Sequence, residues 1–353
     1  MMWRGWVRLQ RASPPFICLK GNIVLSPISQ KIEDAIKKAQ QILVITHVGP
    51  DGDALGSLTA VGQALVQSNK NVTLVCDNRV PKRFDYLPMA DDVLLAPYED
   101  VAYDLLIAVD CGDEQRMGKA FSQLPEPHPF IINIDHHITN TEFGDINLVN
   151  STATSTTEIL FPLFNQLNVN ITEEIALSLL TGLVTDTLGF RTVGVTPKTM
   201  KVASALMDAG ADLSLVTMQA LNLKPLSTVK IWQSGLNNMH IEKEGVIWTS
   251  ITNEERERSG YTNASTGGLV NFLADVQQAT MSAVLLETED GSVRVGFRCR
   301  PPFNVSELAM NLGGGGHPLA SGCLVDGPLE KAERLVVEMS KESIIQQREM
   351  LEM

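Results

Sequence analysis

Aromatic residues are scarce in this chain: 4 Trp, 4 Tyr and 11 Phe make up 5% of its 353 residues. A surface that stacks a long single strand of nucleic acid needs more of them. Basic residues are also outnumbered, with 28 Lys and Arg against 41 Asp and Glu and a formal net charge of −13. That balance argues against a long nucleic-acid groove, which requires a basic stripe. It leaves room for a small anionic substrate held by a few local cations. The five cysteines (Cys18, Cys76, Cys111, Cys299 and Cys323) are scattered and form no C-x-x-C pair. This argues against a zinc knuckle or a disulfide framework and fits a reducing, cytoplasmic setting. No apolar run approaches the ~18 residues of a membrane span, so no membrane partner is expected. Acids are missing from the N-terminus until Glu33, and its apolar stretch is broken by Pro14 and Pro15. Residues 1–27 are therefore read as an extension without fixed structure rather than as a targeting segment.

Hydrophobic residues are plentiful, at 44%, enough for two domains with separate cores. The expected division is a first domain over 28–212, a connecting segment over 213–232 and a second domain over 233–347. In the first, "QILVITH" (41–47), "NVTLVCD", "DLLIAVDC" (104–111) and "FIINIDHH" (130–137) read as strands separated by helical segments. Continuous Ile/Val/Leu runs of this kind indicate an α/β fold, a mostly parallel sheet with helices on both faces. The second domain reads as a smaller α/β unit. It has a strand "VIWTSIT", a hairpin turning at "EDG" and a charged helix over 328–351. Ligands of parallel sheets collect at the carboxyl ends of strands. Three strands here end in acid or imidazole: at His47, at Asp110, and at Asp135 with His136.

The turn "THVGPDGDALGS" follows the first strand and opens a helix. Its glycines do not space as a dinucleotide fingerprint, and no Gly-Lys-Ser/Thr completes a Walker loop. Asp51 and Asp53 would repel a phosphate unless a divalent cation reversed the sign. Taken alone, the turn is an ordinary solvated one with a capping Asp at Asp53. It is accompanied by Asp110 in "AVDCGD", by Asp135, His136 and His137 in "NIDHH", and by Asp186 on an otherwise apolar helix, "LVTDTLGF". A carboxylate on such a helix is costly unless paired or metal-bound. His136 is the expected ligand of the histidine pair, Asp135 the group that orients an imidazole, and His137 the one free to face substrate. The metal set is thus His47, Asp51, Asp53, Asp110, His136 and Asp186. Carboxylate and imidazole without thiolate suit manganese, with magnesium, iron, cobalt and zinc left open. Six such donors suit two divalent cations.

"HVGPDGDALGS", "DCGD", "DHH" and "TDTLGF", in this order, resemble the DHH phosphoesterase superfamily, which includes RecJ nucleases and family II pyrophosphatases. "FRCR" followed by "GGGGHPLASG" is similar to its type 1 DHH-associated C-terminal domain. The likeness covers roughly residues 30–345. Length and spacing resemble the branch that acts on short oligoribonucleotides (nanoRNA) and on 3′-phosphoadenosine-5′-phosphate. The resemblance implies two Mn²⁺ ions, one held by His47, Asp51 and Asp110, the other by Asp53, Asp110, His136 and Asp186. Asp110 would be the bridge and His137 the contact to the scissile phosphate. It also suggests a homodimer.

In the second domain, Gly313, Gly314, Gly315 and Gly316 let backbone approach a ligand closely, and His317 follows them. Arg298 and Arg300 alternate along an expected strand and so share a face. In the resembled family this region grips the terminal nucleotide. The rival readings are a phosphodiesterase of cyclic di-AMP or linear dinucleotides and a non-catalytic nucleotide-binding protein. A pyrophosphatase is disfavoured, because the glycine-histidine motif belongs to the other branch.

Overall fold

A computed structural model describes residues 25–262 and 265–352. The expected N-terminal extension, up to residue 24, lies outside the described residues; Ser26 already caps a helix beginning at Pro27. The chain divides into two compact units between Leu223 and Lys224.

Six strands form the sheet of the first unit: β1 (Gln41–Ile45), β2 (Asn71–Val75), β3 (Val93–Leu94), β4 (Leu105–Val109), β5 (Phe130–Asp135) and β6 (Ile146–Val149). Every pair is parallel, in the order β3-β2-β1-β4-β5-β6. From β1 the chain first builds outward on one side, then returns to build β4 to β6 on the other. The strand order therefore reverses between β1 and β4, which leaves a crevice at their carboxyl ends.

The helices of this unit are α1 (Pro27–Lys38), α2 (Gly52–Gln67), α3 (Lys119–Ser122), α4 (Thr156–Gln166), α5 (Glu173–Asp186), α6 (Pro197–Asp208) and α7 (Leu213–Val216). Strand β1 shows how the sheet is covered. Ile42 and Val44 face a core with Leu55 and Leu58 of α2 and Leu179 and Leu183 of α5. Leu43 and Ile45 point the other way, to Met117 and Phe121. Each fully buried side chain of this size stabilises the fold by about 1.5–3 kcal/mol. The two faces are unequal. Residues of α1, α2, α4, α5 and α6 pack on one. The other is covered by the four-residue α3 and the turn before it.

Helices α2 and α5 touch through small residues. A Cβ on Gly56 would lie 2.5 Å from the Ser178 carbonyl oxygen, and one on Gly182 would lie 2.4 Å from Asp53 Oδ1. That approach puts the first turn of α2 beside the last turn of α5. Helix α4 starts later than its hydroxyl-rich approach suggests. Instead of a cap at Ser151 or Thr152, Asn150 Oδ1 accepts from Thr152 N in a local turn. Ser155 is the N-cap, its Oγ accepting from Glu158 N.

The second unit contains α8 (Leu226–Asn237), β7 (His240–Ile241), β8 (Val246–Ile251), α9 (Asn253–Ser259), α10 (Leu269–Ala274), β9 (Met281–Glu287), β10 (Val293–Cys299), α11 (Ser306–Asn311), β11 (Gly315–His317), β12 (Ala320–Val325) and α12 (Leu329–Glu352). Its sheet runs β11-β12-β10-β9-β8-β7, with β8–β9 the parallel pair and the rest antiparallel. Strand β9 is buried on both faces. Met281, Ala283 and Leu285 meet Leu308 of α11 and Val336 of α12. Val284 and Leu286 meet Ile231 of α8 and Leu269 of α10.

Candidate metal centre

The register aligns the functional ends. Ile45 pairs with Ala108 and Val109 with Ile134, so one or two steps further His47, Asp110 and Asp135 emerge side by side. Asp110 N still donates to Ile134 O at 3.0 Å, yet Asp110 takes a left-handed φ of 59°. Asp tolerates that conformation better than most residues, and it turns the carboxylate across the strand ends.

Asp51, not Asp53, caps α2: its Oδ1 accepts from Asp53 N at 3.0 Å and Ala54 N at 3.1 Å. Asp53 is freed to face α4 and is fully buried. Its Oδ2 accepts from Thr156 N at 2.6 Å, and its Oδ1 from Thr157 N at 3.1 Å and Thr157 Oγ1 at 2.9 Å. Asp186 closes the site from the last turn of α5.

The six expected donors converge. Donor atoms of His47, Asp51 and Asp110 lie within 4.8 Å of one another, as do those of Asp53, His136 and Asp186, and those of Asp110, His136 and His137. His47 Nε2 is 3.6 Å from Asp110 Oδ2 and 3.9 Å from Asp51 Oδ1. His136 Nε2 is 3.7 Å from Asp110 Oδ1, 3.9 Å from Asp53 Oδ2 and 3.3 Å from Asp186 Oδ2. Nearly all these gaps are too long for hydrogen bonds. They suit donors arranged around cations, since neighbouring ligands at bonds of about 2.1 Å stand about 3 Å or more apart. The two oxygens of Asp110 face different histidines, Oδ2 toward His47 and Oδ1 toward His136. His47 Nδ1 lies 2.9 Å from Val48 O. It donates to that carbonyl, which leaves the Nε2 lone pair turned to the carboxylates.

Electrostatics favour a cation here. Burial, then the charges of Asp110, Asp186 and Asp51, hold the Asp53 carboxyl well above its ordinary range. Burial, with Asp51 and Asp110, pushes Asp186 up to about 8. Burial works to raise Asp110 too, but the imidazoles of His47, His136 and His137 beside it bring it down to about 2. Burial lowers His136. It also works against the His47 imidazolium, but Asp110 and Asp51 outweigh it and raise that group. Three mutually repelling, desolvated acids without a Lys or Arg ion pair among the described residues fit divalent cations.

His137 differs from His136. Its Nδ1 donates to Asp135 Oδ1 at 2.8 Å, and that hydrogen bond lifts it to about 9. Asp135 is fully buried and is fixed through its other oxygen by Asn140 Nδ2 at 2.6 Å. In the metal-free protein His137 is thus an oriented, protonated imidazole at neutral pH, able to offer a positive charge or a proton to an anion. Thr156, Thr157 and Asn140 escaped the sequence reading. The hydroxyl run "STATSTTE" carried a signal, but it read only as helix caps.

In the second unit the expected residues separate. Gly314 could not carry a side chain, because its Cβ would lie 2.2 Å from Gly322 O; Gly313 and Gly316 have φ of 78° and 141°. Only Gly315 combines an ordinary backbone conformation with open space around it. His317 follows, exposed. Arg298 lies across from Ala320, which also pairs with His317. Its guanidinium is half-buried and desolvation lowers its pKa; its described hydrogen bond is to Phe297 O. Arg300 stands one residue past β10, which ends at Cys299, although its N–H still donates to Thr280 O at 3.4 Å; its side chain, unlike that of Arg298, is drawn to other backbone. Arg300 Nη2 donates to the carbonyls of Val276, Gln277 and Ala279, tying the chain after α10.

The pattern of the DHH family, N-terminal domain, matches residues 41–183, and that of the DHHA1 domain matches 245–344. A protein of Thermus thermophilus named as the bifunctional oligoribonuclease and PAP phosphatase NrnA is 31% identical over 310 residues, 86% of this chain and 90% of that protein. The cyclic-di-AMP phosphodiesterase PdeA of Listeria monocytogenes is 26% identical over 88% of this chain and 49% of that protein. A crystal structure of an exopolyphosphatase-related protein from Bacteroides fragilis shares the fold. Its TM-score is 0.84 at 24% identity, covering 94% of this chain and all of that one.

Proposed function

Because this chain belongs to the DHH family, we propose that it is a metal-dependent phosphoesterase that hydrolyses short oligoribonucleotides and 3′-phosphoadenosine-5′-phosphate, with Mn²⁺ as its metal. The observation that carries this reading is Asp110, whose two oxygens face two separate groups of donors. His47, Asp51 and Asp110 would hold one cation, and Asp53, Asp110, His136 and Asp186 the other. Bound there, divalent cations lower the pKa of water and offset charge on phosphoryl oxygens.

The chain's own residues supply the rest. His137, oriented and charged by Asp135, binds a phosphate oxygen next to the scissile bond and favours the charge that develops there. In the second unit, the Arg298 guanidinium, the open backbone at Gly315 and the His317 imidazole grip a phosphate or the terminal nucleotide. Arg300 supports that region by holding the chain beneath it. The catalytic domain is taken as 28–212 and the substrate-binding domain as 233–347.

Cyclic di-AMP or linear dinucleotides form the second reading, favoured by the similarity to PdeA. A substrate panel with Mn²⁺ separates the two: initial rates on two- to five-nucleotide RNA, 3′-phosphoadenosine-5′-phosphate, cyclic di-AMP and a long RNA. Fastest turnover of the first two is expected. Preference for cyclic di-AMP would move the assignment to the second reading, and preference for the long RNA would sink both.

A further inference from the structure

The N-terminus of α4 reaches both central carboxylates, and neither the motifs nor the family likeness gives it a role. Thr156 N donates to Asp53 Oδ2 at 2.6 Å, and Thr156 Oγ1 donates to Asp110 Oδ1 at 2.9 Å. No other described residue hydrogen-bonds both acids. Thr156 and Thr157 are 0% and 1% exposed, so no water competes for these contacts. The N–H groups of the first turn, which have no partner within the helix, and the dipole of the helix start add to the attraction for negative charge.

Counting lone pairs shows what the arrangement does. An ionised carboxylate offers about four acceptor sites, two on each oxygen. Thr157 N and Oγ1 fill both on Asp53 Oδ1. Thr156 N takes one on Oδ2, so a single lone pair of Asp53 is left. It sits on the oxygen 3.9 Å from His136 Nε2. On Asp110, the Thr156 hydroxyl takes one site of Oδ1. That leaves one on the oxygen facing His136 and two on Oδ2, which faces His47. Asp51 and Asp186, by contrast, have no contact with α4 in the described hydrogen bonds. We propose that Thr156 is a positioning residue: its hydroxyl and backbone N–H fix Asp53 as a one-oxygen donor and Asp110 as a two-sided bridge between the donor groups. The inference rests on the metal-centre reading above.

The test compares Thr156→Val, Thr156→Ala and Thr156→Ser with wild type, each in the full chain. All three keep the backbone N–H; Ser also keeps the hydroxyl. Mn²⁺ affinity and stoichiometry are measured by calorimetry, and coupling between paired ions by electron paramagnetic resonance. Urea unfolding of the metal-free proteins reports the fold. Loss of a group that orients a ligand weakens metal binding about 10- to 100-fold. That loss is expected for Val and Ala with an altered coupled spectrum, while Ser stays near wild type. If Val fails to fold, Ala, which adds no bulk, decides. Wild-type affinity and spectrum in folded Val or Ala would overturn the proposal, as would Ser being impaired as much as Ala. Wild-type protein that takes up no divalent cation would instead remove the metal-centre reading, and this inference with it.

Discussion

Asp53, Asp110 and Asp135 of the first unit are 0%, 2% and 0% exposed, and each accepts hydrogen bonds from side chains or backbone around it. In the second unit Gly316 and His317 are exposed, and Arg298 is half-buried with a bond to its neighbouring carbonyl. One region fixes charged groups in a dry, hydrogen-bonded setting, where electrostatic effects are large. The other leaves its polar groups at strand ends, more open to solvent. Under the proposed function the first would carry the chemistry and the second the recognition, and substitutions can break that contrast.

The largest effect is expected for Asp110→Asn. Asn also tolerates the left-handed φ of this position, so the fold should survive. Turnover should drop by more than about 100-fold, beyond what loss of a merely supporting group produces. Assays of folded protein at saturating Mn²⁺ check this; near-normal turnover would dissolve the contrast. His137→Gln, which removes the charge but keeps a polar group, should lower kcat by about 100-fold with a smaller change in KM.

Stability of the metal-free protein should depend on pH in a way the second unit does not share. His137 titrates at about 9 rather than 6.5, and Asp186 at about 8 rather than 3.8. Both folded-state values are raised. The stability each lends is therefore complete below its ordinary value and lost as pH rises through its folded value. Asp110 is lowered to about 2, so its contribution is present above 3.8 and fades only in strong acid. The Tm of chelated protein should accordingly fall as the acid ionises between about pH 3.8 and 8 and the histidine discharges between about 6.5 and 9, most steeply where the two ranges overlap. Asp186→Asn should flatten that fall. A Tm that rises over this window would contradict the electrostatic account.

Gly314→Ala sharpens the contrast from the other side. Overpacking against Gly322 and Cys323 should cost about 1–3 kcal/mol in urea unfolding while leaving Mn²⁺ binding intact. The smallest effects separate the two arginines. Arg298→Gln should raise KM severalfold with little change in kcat. Arg300→Gln should instead lower stability by about 1 kcal/mol, the scale of a lost hydrogen bond. Equal KM effects from both would mean that Arg300 also binds substrate.

Much of the first unit was legible because a parallel strand buried on both faces announces itself as an unbroken apolar run. "QILVITH" and "DLLIAVDC" each became a strand whose last polar residue stands at the sheet's carboxyl edge. The start of α4 was not legible: Ser151, Thr152 and Ser155 are all good caps, and Asn150 decided among them by capturing Thr152 in its own turn. Arg300 misled for a similar reason. Alternation says which way a side chain starts, but the carbonyls of Val276, Gln277 and Ala279 capture that of Arg300.

By itself the sequence determined which residue types stand at which strand ends, because hydrophobic periodicity and the acids that interrupt it are local properties. Only the tertiary structure decided which oxygen of each carboxylate remains free. That choice depends on donors far away in the chain: Thr156 lies 103 residues from Asp53 and 46 from Asp110. They meet because glycines let α2 and α5 touch and parallel pairing levels the strand ends. Such contacts follow from packing in three dimensions, which no spacing along the chain encodes.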